Sequence, residues 1–74
     1  MTTSLKKNAV QPAHYTDCAI QPIDYIWANN LNFLEGNIVK YVTRHKAKNG
    51  KEDLEKALYY LQMLIDREYG VNPD

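Results

Sequence analysis

The stretch from Lys51 to Tyr69 leaves this chain little choice of fold. Within it Leu54, Ala57, Leu58, Leu61, Leu64 and Ile65 recur at spacings of one, three and four, which lines them along one side of a helix with 3.6 residues per turn. Glu52, Asp53 and Glu55 crowd the first turns, where acidic groups complement the helix macrodipole. Gly70 follows as the expected residue just past the C-terminus. Upstream, Ala47-Lys48-Asn49-Gly50 carries turn residues, and Asn49 or Gly50 can supply the positive φ of a chain reversal.

A second helix is predicted in front of that turn. Asn32 can cap it, with Glu35 three residues on in the manner of a capping box. Leu34, Ile38, Tyr41 and Val42 form its apolar stripe. Gly36 inside it costs about 1 kcal/mol relative to alanine, so it is either a tolerated residue near a helix start or a mark of close approach by another backbone or a ligand. A shorter helix should open at Pro22, with Ile23, Ile26 and Trp27 on one face and Asn29-Asn30 closing it. Short links make consecutive helices antiparallel neighbours, and no alternating run of β-branched residues calls for a strand. The expected fold is all-α: an antiparallel helical hairpin with a short N-terminal helix packed across it. It forms one domain over residues 11–70, between a flexible tail at residues 1–10 and a short tail at 71–74. Residues 11–15 read as extended, because Pro12 lacks a backbone donor and biases its predecessor away from the α region.

A chain of 74 residues buries a smaller share of its surface than a larger one. Cys18 is the single cysteine and no Cys/His set has zinc spacing, so neither a disulfide nor a structural metal can compensate. Self-association into a homo-oligomer is the expected remedy, with Cys18 a small buried hydrophobe rather than a catalytic group. No apolar run reaches the roughly 20 residues that cross a bilayer, and residues 1–10 lack the hydrophobic core of a signal peptide. No membrane partner and a cytoplasmic location are expected. Nine Lys and Arg balance nine Asp and Glu, which argues against a long nucleic acid as partner. The charge is unevenly spread, however: Lys40, Arg44, Lys46, Lys48 and Lys51 fall between Gly36 and Lys51, with His45 among them and no Asp or Glu. A local positive field follows.

Asn37, Lys40, Tyr41 and Arg44 are linked by spacings of three and four on the second helix, and Asp53, Lys56 and Tyr60 on the third. Antiparallel packing lets these two strips face one another beside the turn. Cations, an amide and phenol rings in that arrangement suit a phosphate joined to a base. The alternative is solvated surface, with Asp53 and Lys56 a plain i, i+3 ion pair worth a few tenths of a kcal/mol. Other chemistries lack their residues: there is no G-x-x-x-x-G-K-[ST] loop, and the only serine, Ser4, lies in the N-terminal tail. His14 and His45 are too isolated for a metal site, so no metal is expected; His14 is either a ligand contact or general base, or a packing residue. Glu52-x-x-Glu55 is half of the magnesium pattern of MazG-type nucleotide pyrophosphatases, but the other half is missing, and both residues read as dipole-compensating charges.

As a set, His14-Tyr15, the run Gly36-Asn37-Ile38-Val39-Lys40-Tyr41-Val42-Thr43-Arg44, then Lys48-Asn49-Gly50 and Asp53-Leu54-Glu55-Lys56-Ala57 resemble a family of small, mostly phage-encoded proteins, domain of unknown function 3310. The likeness spans about residues 12–69. The family includes a P-loop-free nucleotide kinase of a lytic coliphage, active on deoxynucleoside monophosphates as a large oligomer. What the resemblance implies is an oligomer that binds a nucleotide or cyclic nucleotide, such as a host-defence signal that it sequesters. Asn37, Lys40, Arg44 and Lys56 would then meet the phosphates, and His14, Tyr15 or Tyr41 the base. The alternative is a nucleoside monophosphate kinase, in which the same cations stabilise the transferring phosphoryl group and Asp53 helps to hold magnesium, a cofactor under that reading alone. A third reading, an interaction module built on exposed tyrosines, fits the six tyrosines of the chain.

Overall fold

A computed structural model describes residues 18–70. It contains three helices, α1 (Pro22–Ala28), α2 (Phe33–Arg44) and α3 (Lys51–Tyr69), with a 3-10 turn at His45–Ala47 between the last two. No strand occurs among the described residues. α2 and α3 pack along one another as a hairpin and α1 lies against α2, which is the all-α arrangement expected from the sequence. The tails, the extended segment around Pro12, and with it His14 and Tyr15, lie outside the described residues.

Each helix end has a local cause. Pro22 occupies the first turn of α1, and Asn30, with φ of 55°, turns the chain after it. At α2 the Asn32 side chain accepts from the Glu35 N–H at 2.8 Å, while the Asn32 N–H donates to the Glu35 carboxylate at 3.0 Å. Two donors that the first turn would otherwise orphan are thereby satisfied. Between α2 and α3, the Gly50 N–H donates to the His45 carbonyl at 2.7 Å. Of the two candidates for positive φ in this turn it is Gly50 that takes it, at φ 58° and ψ −125°, a region costly for any residue with a Cβ. α3 then runs the full predicted length and stops at Gly70.

Packing differs from expectation in all three helices; on α3, Leu54, Leu58, Leu61 and Ile65 of the expected apolar stripe are exposed. Gly36 is buried, and a Cβ built on it would lie 3.2 Å from Ile26 Cγ2, so what approaches it is a side chain of α1 rather than a backbone or a ligand. α1 buries Pro22 and part of Ile26, whereas Ile23 and Trp27 remain exposed. Seven residues packed on α2 cover a single edge of it. Likewise Val42 of the α2 stripe is exposed; it joins Ile20, Pro22, Tyr25 and Ile38 along an apolar groove of about 440 Å³ that includes none of the candidate site residues. Among the described residues, Ala57 (6% exposed) and Pro22 are the only apolar side chains that are buried. None of the described helices is long and apolar enough to cross a membrane.

Candidate functional site

Asp53 anchors the site from below. It stands in the first turn of α3, whose N-cap Gly50 has no side chain to offer the exposed N–H groups. Its carboxylate reaches back instead: the Asn49 N–H donates to Oδ2 at 3.2 Å and the Asn49 amide to Oδ1 at 3.3 Å. From the end of α2, Arg44 forks onto the same carboxylate, Nε to Oδ2 at 3.2 Å and Nη2 to Oδ1 at 3.2 Å. This two-pronged geometry fixes the guanidinium plane. Asp53 is completely buried. Burial by itself raises a carboxyl pKa, but the Arg44 bonds, reinforced by those from Asn49, outweigh it and lower Asp53 from 3.8 to about 2.

The fixed Arg44 lies over Tyr41, its Cζ 4.7 Å from the ring centroid. Lys40 Nζ is 4.8 Å from the same centroid and Lys56 Nζ, arriving from α3, is 5.4 Å from it. All three fall within the range at which a ring quadrupole attracts a cation. Tyr60 of α3 stacks against Tyr41 with centroids 5.9 Å apart and planes 6° from parallel. Phe33 and Tyr59 meet Tyr60 edge-on at 6.2 Å and 5.5 Å, and both are exposed. Three cations thus gather at one aromatic ring, and among the described residues the carboxylate paired with them is that of Asp53, on Arg44. Lys40 and Lys56 form no ion pair with any described residue. Among the described residues the cluster therefore holds more positive than negative charge, and its cations are half-buried.

The structure therefore brings together Lys40, Tyr41, Arg44, Lys56 and Tyr60, with Asp53 beneath Arg44. Two expectations change. Asp53 pairs with Arg44 instead of Lys56, and with its oxygens engaged and buried it is placed to orient Arg44 rather than to touch a ligand or hold magnesium. Asn37 donates one amide N–H to the Phe33 carbonyl one turn back, at 3.1 Å, which leaves its second N–H and its oxygen for another partner. Glu52 and Glu55 are exposed at the start of α3, Glu55 3.9 Å from Lys51. Asn49, read from sequence only as a turn residue, emerges as a clamp on Asp53; its i, i+4 spacing to an acid in a first helical turn was the available signal. Phe33 was missed because it precedes the α2 stripe and meets Tyr60 only across the hairpin.

Fold and site define a small helical-hairpin protein with a cationic, aromatic surface site. Over residues 9–62 the chain matches a family described as protein of unknown function (DUF3310), and it belongs to that family. Neither a curated protein nor a solved structure matches it.

Proposed function

We propose that this protein binds a nucleotide or cyclic nucleotide at the Tyr41 cluster. The observation that carries the reading is the convergence of Lys40, Arg44 and Lys56 on one ring, with Lys40 and Lys56 forming no ion pair among the described residues. Ammonium groups held together without counterions repel one another, and a phosphate between them relieves that repulsion while accepting charge-assisted hydrogen bonds. A base has rings at hand in exposed Phe33 and Tyr59, beside the Tyr41 and Tyr60 stack. Aromatic stacking next to a phosphate seat selects a nucleotide over a bare anion. Binding without turnover is the preferred form of the reading, because Asp53, the one acid among the strip residues, is committed to Arg44. A phage origin, action in the host cytoplasm and sequestration of a defence nucleotide complete the proposal; what supports them is the resemblance to a largely phage-encoded family.

Thermal melts with a panel of mono-, di-, tri- and cyclic nucleotides test it. At least one should raise the melting temperature, and Lys40→Ala or Lys56→Ala should each weaken that ligand roughly tenfold or more, the expected effect of a lost hydrogen bond to a charged group. These lysines are better probes than Arg44, whose removal would strand buried Asp53. No shift with any nucleotide would end the reading. Ligand recovered unchanged after heat release marks sequestration, and transfer of the γ-phosphate of ATP to a nucleoside monophosphate marks a kinase instead.

A further inference from the structure

α3 carries a second apolar seam that the hairpin does not use. Leu54, Leu58, Leu61 and Ile65 follow one another at spacings of four, three and four and remain 41%, 64%, 42% and 43% exposed. That spacing is the a/d repeat by which one helix packs against another in a coiled coil. Inside the hairpin, Ala57 is the only hydrophobic side chain that is buried among the described residues, so these four form an apolar patch that the hairpin leaves uncovered.

We propose that this seam packs against the same seam of a second copy, antiparallel, about a twofold axis. Pairing Leu58 with Leu61 of the second copy brings Leu54 opposite its Ile65, so all four apolar residues are covered in one register. The same register extends to the charged residues at the seam's ends. Lys51, three residues before Leu54, comes to lie opposite Glu68 of the second copy, three residues after its Ile65, and twofold symmetry repeats the pair. A parallel pairing would set Lys51 on Lys51 and Glu68 on Glu68, which like charges disfavour. Lys51 gives up little to make the exchange: its contact with Glu55 is 3.9 Å long and both side chains are exposed. At about 100° per residue, Tyr60 lies about 130° and Lys56 about 170° around α3 from the centre of the seam. The Tyr41 cluster stays open in both copies, and the pairing stands or falls independently of nucleotide binding.

Sedimentation equilibrium of the full chain tests it. The expected result is an assembly with an even number of chains, dissociated by Leu58→Glu combined with Leu61→Glu. A monomeric protein, or an assembly whose mass those two changes leave intact, overturns the proposal. Milder variants test the register without threatening the fold: Lys51→Glu and Glu68→Lys should each weaken self-association about tenfold, since two pairs are lost per dimer. Combining them should restore it, and a double variant no tighter than either single one overturns the antiparallel arrangement.

Discussion

At the scale of single residues, Asp53 and Arg44 act as a unit although nine positions separate them. Spacing alone put Asp53 on the polar strip beside Lys56, as one more group that could face a ligand. Full burial gives it another task, because a carboxylate without water needs donors, and it finds them in Arg44 and Asn49. The lowering of its pKa to about 2 ties this contact to pH. A group whose folded pKa lies below its ordinary value of 3.8 contributes stability that is present above about pH 4 and is lost as pH falls towards 2. Melting temperature should therefore decline between about pH 4 and pH 2. Asp53→Asn should melt lower near neutral pH, since it leaves the Arg44 charge without its partner, and should show a shallower acid decline. Equal slopes in both proteins would place the acid sensitivity elsewhere.

At the scale of elements, helix limits were legible because their causes lie within four residues in sequence. Asn32 and Glu35 announce the start of α2 by their spacing, and Gly50 and Gly70 bracket α3. Gly36 was legible as an anomaly but not in its cause, which comes from a different helix. Ile26 Cγ2 would lie 3.2 Å from an added Cβ. Gly36→Ala should be nearly neutral, as the gain of about 1 kcal/mol in helix propensity offsets a small displacement of Ile26. Gly36→Val should cost roughly 1–3 kcal/mol through overpacking. In an Ile26→Ala background the valine should cost less, and urea denaturation of the four proteins measures the difference. Strictly additive effects would show that Ile26 is not the obstacle.

At the scale of the whole molecule, α3 packs chiefly on α2 among the described residues, with Leu54, Leu58, Leu61 and Ile65 exposed. A chain of this size gains little stability from so small a core. Pairing of two copies through the seam proposed above would bind the folded form and not the unfolded one, so on that proposal the melting temperature should rise with protein concentration. A melting temperature constant over a hundredfold range of concentration would mean that the hairpin is stable alone.

The sequence by itself determined the all-α class, the three helices with their ends, the turn at Gly50, and the cations and rings gathered around it. Tertiary structure decided what those residues do. Along α3 the set Asp53, Ala57, Tyr60 and Leu64 and the set Leu54, Leu58, Leu61 and Ile65 share the same spacing, offset by one residue. Periodicity gives no preference between them. The rotation at which α3 lies on α2 turns the first set inward, burying Asp53 beneath Arg44, stacking Tyr60 on Tyr41 and bringing Lys56 to the same ring, and it leaves the second set exposed. That angle comes from packing between helices distant in sequence, which no local spacing encodes.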